Sequence, residues 1–195
     1  MKAAVSLSLA TLCFFSLICC SSGSTKSAAM PADETAEKVH VPQFSADSAY
    51  AHVAAQVAFG PRIPGTASHA RCADYLTSRL KSYGVETSQW RKRITDFKGN
   101  SFEIVNIVGH INPKAKRRMI LAAHWDSRRW ADEDPDAAKH GMPVDGANDG
   151  ASGVGVILEM ARAMAERNPA IGVDILLTDA EDSGVSAPEN ITDPM

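Results

Sequence analysis

The stretch Leu121 to Gly184, LAAHWDSRRWADEDPDAAKHGMPVDGANDGASGVGVILEMARAMAERNPAIGVDILLTDAEDSG, decides how the rest of the 195-residue chain is read. Two short apolar runs, 119–123 and 173–178, each lead directly into an ionisable cluster, and a long amphipathic segment separates them. Buried strands that stop where polar groups begin are how an α/β sheet presents chemistry at the carboxyl ends of its strands. The clusters are His124-Trp125-Asp126, Asn148-Asp149-Gly150 and Asp179-Ala180-Glu181-Asp182. One imidazole and several carboxylates delivered to one sheet edge suit a hard or borderline divalent cation, zinc above all. The stretch predicts a metal-dependent hydrolase or acyl-transfer site.

Spacing sharpens the roles. Residues two apart in a strand face the same way, so His124 and Asp126 are aligned, with Asp126 free to hold the imidazole ring or to point at a ligand itself. Asp149 arrives from a separate connection just ahead of a helix, where the positive end of the dipole favours a carboxylate. Glu181 and Asp182 are neighbours leaving a strand and point in different directions, so one can bind metal while the other serves as acid or base. Each residue has a plainer reading: a core histidine, an N-cap at Asp149, turn residues at Asp179 and Asp182. Three such clusters, each at a strand end or helix start of one α/β unit, favour the metal site.

Working outward, Ser45 is placed to cap a helix in which Tyr50, Val53, Ala54, Val57 and Ala58 repeat at helical spacing before Gly60. Residues 60–66, Gly-Pro-Arg-Ile-Pro-Gly-Thr, form a loop. Ser68 then caps a second helix with Ala73, Leu76, Leu80 and Tyr83 as its buried stripe, closed by Gly84, and Cys72 beside that stripe reads as a small core residue. Runs 85–92 and 102–111 around a Gly-Asn turn predict a hairpin whose first strand is an edge. The basic turn 114–118 leads into 119–123, expected as a fully buried central strand. Residues 125–148 make a long loop carrying Asp132, Glu133, Asp134 and Asp136. A helix over 153–167 then turns Val154, Ile157, Leu158, Ala161 and Met164 to the sheet.

The totals fit one globular domain: 45% of residues are hydrophobic and 22% charged. A net charge of -3 gives no basis for nucleic-acid binding. Lys2 followed by the apolar run 3–18 reads as a secretory signal, too short to span a membrane comfortably. It ends at Leu17-Ile18-Cys19-Cys20, so 1–20 is expected to be a signal peptide with Cys20 lipid-anchored, or else a simply cleaved signal. Residues 21–43 read as a flexible linker and 44–195 as the folded domain, which the resemblance given below makes the N-terminal portion of a catalytic domain. The expected location is a bacterial periplasm or outer membrane, with secretion as the alternative.

The residues also carry a resemblance. The segments Phe59-Gly60-Pro61-Arg62-Ile63-Pro64-Gly65-Thr66, His124-Trp125-Asp126-Ser127-Arg128, Gly146 to Gly153 and Asp179 to Gly184 resemble, in order, the zinc-dependent M28 peptidase family and within it the glutaminyl-peptide cyclotransferase branch. The resemblance implies a three-layer α/β/α fold with a mixed, largely parallel central sheet. It implies that Asp149 and Asp182 bind zinc and that Glu181 is the catalytic acid/base. His124 matches the histidine that binds a second zinc in the aminopeptidases. In the cyclases one zinc suffices and that histidine is not a ligand. In either case peptide or protein N-termini are the substrates. Asp at 182 and the tryptophan after His124 lean toward the cyclase. A third class, an exported binding module that has lost its chemistry, keeps the same fold. The family continues past the Glu181 strand with a further acidic residue and a last zinc-binding histidine, which His110 and His140 do not match in position. The expectation is therefore of an incomplete catalytic domain, poorly folded and inactive alone.

Overall fold

The structure, a computed structural model, describes residues 41–96 and 98–184. The expected signal peptide with Cys20, residues 21–40 of the expected linker and everything after Gly184 lie outside the described residues. Three helices, α1 (Ala46–Val57), α2 (Ala67–Ser82) and α3 (Ala151–Glu166), accompany four strands, β1 (Glu86–Thr95), β2 (Ser101–Ile111), β3 (Arg118–His124) and β4 (Gly172–Thr178), in the sheet order β1-β2-β4-β3.

The expected mixed sheet is present, but parallel pairing does not dominate it. β1 with β2 and β2 with β4 are antiparallel, and only β3 with β4 is parallel. The hairpin is the reason, because a short turn forces its strands antiparallel, whereas β3 and β4 are joined by the crossover through α3. The strand 119–123 also departs from expectation. β3 is an edge of the described sheet, with Met119 43% and Ile120 67% exposed. An apolar run signals affinity for an interior without saying how many neighbours the strand has.

Cross-strand partners share a face, and Gly109, Ile175 and Leu121 stand side by side beneath the helices. Gly109 is packed so closely by Val85, Ile175 and Leu80 that a Cβ there would lie 2.8 Å from Val85. The core runs through Leu76, Leu80, Val105, Ile107, Val154, Leu158, Ile175 and Leu177. At roughly 1.5–3 kcal/mol for each large apolar side chain removed from water, this cluster is the main favourable term of the fold. All three helices lie on this side. Of the three expected layers, two are therefore formed among the described residues. The other sheet face carries Trp90, half exposed, and Ile120.

The helices differ from expectation in one instructive way. Ser45 caps α1, its hydroxyl accepting from Ser48 N–H, and the helix buries Ala49, His52 and Gln56 rather than the face centred on Tyr50, which is 75% exposed. Buried polar side chains are tolerated where their donors find partners, and of these two only the Gln56 side-chain oxygen is left without one. His52 bonds the hydroxyls of Tyr75 and Tyr83 at 3.0 and 3.2 Å, and the Gln56 amide donates to the carbonyls of His52 and Ala151. In α2 the cap is Thr66 rather than Ser68, and Ala73, Leu76 and Leu80 are buried as expected. Cys72 is fully buried, which pushes its thiol up to about 12 and leaves it an inert core residue.

Candidate metal centre

β3 and β4 run parallel and end together, with Trp125 N–H donating to Thr178 C=O at 3.0 Å just past the last pair. Parallel strands ending side by side leave a crevice at their carboxyl ends. His124 closes β3. Glu181 and Asp182 follow β4 in a short 3-10 turn (Glu181–Ser183) entered through Ala180 in the left-handed region, φ 65°. Asp149 stands just ahead of α3.

These elements bring His124, Asp149 and Asp182 together, with one ligand atom from each lying within 4.8 Å of the others. His124 Nε2 is 2.7 Å from Asp149 Oδ1. His124 Nδ1 is buried without a hydrogen-bond partner and faces three carboxylates, Asp126 at 3.5 Å, Glu181 at 3.9 Å and Asp182 at 4.0 Å. A buried nitrogen left unbonded among carboxylates, with imidazole and two aspartates in mutual reach, is a donor set that fits zinc. In the metal-free protein the imidazole supplies the compensating charge. Asp126, and then Asp149 and Asp182, hold its pKa up at about 9. Burial pushes the Asp182 carboxyl up to about 6, and the neighbouring Asp126 and Asp149 charges push the same way.

The expected residues divide by exposure. Asp182 is buried, whereas the side chains of Asp149 and Glu181 are 72% and 64% exposed. Asp126 does more than accompany the imidazole. Fully buried, it accepts from Glu181 N–H at 3.3 Å and Asp182 N–H at 3.1 Å, and so pins the turn that carries both. Asp179 has a related task beneath the turn. Its carboxylate takes hydrogen bonds from Val105 N–H and Ala180 N–H and meets His69 Nε2 at 2.7 Å, inside the core. Trp125 also lies in the core, its indole N–H donating to Val105 C=O and its ring stacked on His69 at 4.4 Å. It therefore supports the site from below and does not line the crevice. His110 pairs with Asp174 at the other end of the strands, and His140 bonds Asp134 C=O.

Sequence reasoning missed Arg62. Its guanidinium is fully buried and donates to the carbonyls of Trp125, Asp145 and Gly146, tying the loop after β3 to the loop before α3. Burial pulls its pKa down while Asp126, Asp145 and Asp182 favour its charge. The residue type was visible in the Gly60–Thr66 loop, but a lone arginine there has no sequence signal for a buried destination. Glycine is required at two places. A Cβ on Gly146 (φ 62°) would meet Asp149 O at 2.5 Å, and one on Gly150 would meet His124 O at 2.4 Å and its ring at 2.6 Å.

A cleft of about 480 Å³ opens over the centre, lined by Arg128, Trp130, Asp132, Glu133, Asp149, Glu181 and Asp182 among others. Arg128 grips Asp132 through two 2.6 Å bonds and donates to Asp182 C=O at 3.1 Å. Residues 106–192 match the family model described as peptidase family M28. Those residues carry the peptidase M28 domain. A solved Zn-dependent exopeptidase of Parabacteroides distasonis is 51% identical, with a TM-score of 0.75, over 80% of this chain and 53% of that one. The glutaminyl cyclase of Tannerella forsythia is 49% identical, with a TM-score of 0.73, over 79% of this chain and 52% of that one. The alkaline phosphatase isozyme conversion protein of Escherichia coli is 28% identical over 142 residues, 68% of this chain and 41% of that protein. The chain spans about half the length of these two solved structures.

Proposed function

We propose that the protein is a zinc-dependent enzyme acting on peptide N-termini, and that its reaction is the cyclisation of N-terminal glutamine to pyroglutamate with release of ammonia. The carrying observation is the placing of Glu181, an exposed carboxylate one residue before buried Asp182 and 3.9 Å from the imidazole that Asp149 touches. Such a group stands beside a cation without being consumed by it. Asp149 and Asp182, with His124 in reach, would hold the zinc. Bound there, the ion supplies electrophilic polarisation of the substrate amide carbonyl. Glu181 accepts a proton from the substrate α-amine as that nitrogen forms its bond to the γ-carbonyl carbon. It returns the proton to the γ-amide nitrogen as the carbon–nitrogen bond breaks, so ammonia leaves and the carboxylate is regenerated. The acidic cleft attracts the ammonium form of a peptide N-terminus.

A second reading is supported by the likeness to the Parabacteroides exopeptidase: an aminopeptidase in which His124 holds a second zinc and Glu181 takes a proton from water. One assay of the whole protein separates the two. Gln-peptides releasing ammonia with the chain length preserved mark the cyclase. Leu-peptides releasing free amino acid mark the peptidase, and neither product refutes both. We further propose export, with Cys20 as a lipid anchor, on the pattern of Lys2, the apolar run and the small polar residues after Cys20. None of the described helices is long and apolar enough to cross a membrane. Labelling with radioactive palmitate, lost on Cys20→Ser, tests this.

A further inference from the structure

The cleft over the metal centre is overwhelmingly charged, and its one large apolar wall is Trp130. That indole is held from a distant part of the chain. Lys98, at the tip of the β1–β2 hairpin, sets its ammonium 3.6 Å from the ring centroid, and the neighbouring Arg129 lies 5.8 Å away. The tip is itself fixed, because Asp96 accepts from the backbone N–H groups of Lys98 and Asn100 at 2.9 and 2.8 Å. Arg129 donates to Pro64 C=O, tying the segment that carries Trp130 to the loop before α2. An aromatic face capped by a cation and anchored on both sides is pre-organised: little side-chain freedom remains to be lost when a second group packs on what is left of the ring.

We propose that Trp130 is a specificity-determining residue, the apolar contact for the side chain that follows the reacting N-terminal residue. This rests on the reading of the site as one for peptide N-termini. Glu181 faces the reacting groups of the first residue beside the ion that Asp149 and Asp182 would hold, and a cleft of about 480 Å³ is of the size that holds a ligand larger than a single side chain. The next side chain leaves the carboxylates and finds Trp130, which favours apolar and aromatic residues there. The consequence is a preference for Gln-Phe over Gln-Gly at the amino terminus, of up to about tenfold for one aromatic pair.

Binding without turnover tests this in the zinc-loaded whole protein carrying Glu181→Gln, by calorimetric titration with Gln-Phe-amide and Gln-Gly-amide. The expected parent prefers the Phe dipeptide about tenfold, Trp130→Ala brings the two within twofold, and Trp130→Phe keeps most of the preference. Lys98→Met, which leaves the indole in place without its cap, lowers the preference two- to threefold. Zinc content and melting temperature matched to the parent show that each variant is folded. A parent without preference, or a preference unchanged in Trp130→Ala, overturns the proposal. A native protein that turns over neither Gln- nor Leu-peptides while the binding preference follows Trp130 refutes the catalytic reading and leaves the aromatic wall standing.

Discussion

Replacing Asp126 by asparagine tests the electrostatic logic of the centre, because one buried carboxylate serves two purposes that pH separates. It accepts from Glu181 and Asp182 N–H at 3.3 and 3.1 Å, and it is the largest influence raising His124. Asparagine retains one accepting oxygen and turns an NH2 donor toward the other backbone N–H, which costs about 2 kcal/mol at any pH. The second loss depends on pH. A histidine whose folded pKa lies above its unfolded value stabilises the protein fully below about 6.5, and that stabilisation disappears as pH rises through about 9. The rise from 6.5 to about 9 is worth roughly 3 kcal/mol in all, of which Asp126 accounts for about 1–2. Asp182 works in the opposite sense, because its raised carboxyl costs stability once ionised. Removing the Asp126 charge eases its ionisation, an offset that grows from the ordinary carboxylate range and is nearly complete by about pH 6, so it lowers the cost similarly at both pH values tested. Urea unfolding of the metal-free protein with chelator present should show a cost near 3–4 kcal/mol at pH 6 and about 2 kcal/mol or less at pH 9.5. Equal costs at the two pH values would refute the claim that Asp126 and His124 form a coupled pair.

Further substitutions separate catalysis, metal binding and scaffold. Glu181→Gln should lower kcat by about 10²–10⁴ while zinc content, measured by atomic absorption, stays at the native level. Gly150→Ala drives a methyl group into the His124 backbone and ring, so zinc affinity measured against a chromophoric chelator should fall at least about tenfold. Arg62→Met strips hydrogen bonds from three carbonyls, those of buried Trp125 and Gly146 among them, and chemical denaturation should show a loss of about 3–5 kcal/mol.

Sequence alone determined the elements and the residue types that come together at the centre. Apolar runs ending in charge announced the strands, a 3.6-residue stripe announced α3 with Val154, Ile157, Leu158 and Ala161 inside, and three acidic or imidazole clusters at element ends named the residues that the fold gathers. These features are local, because a strand's burial and a helix's period are written in consecutive residues. Tertiary structure alone decided which groups serve from the background. Polar His52 and Gln56 turn inward because tyrosine hydroxyls meet the His52 ring nitrogens and a carbonyl from another element takes the Gln56 amide N–H. Trp125 sinks into the core and Trp130, five positions on, walls the cleft. Arg62 vanishes beneath two loops. Strand neighbours were likewise hidden, so β3 read as central and stands at an edge of the described sheet. In each case the deciding energy is a hydrogen bond or contact between residues distant in the chain, and such a partnership leaves no period or spacing in the segment that makes it.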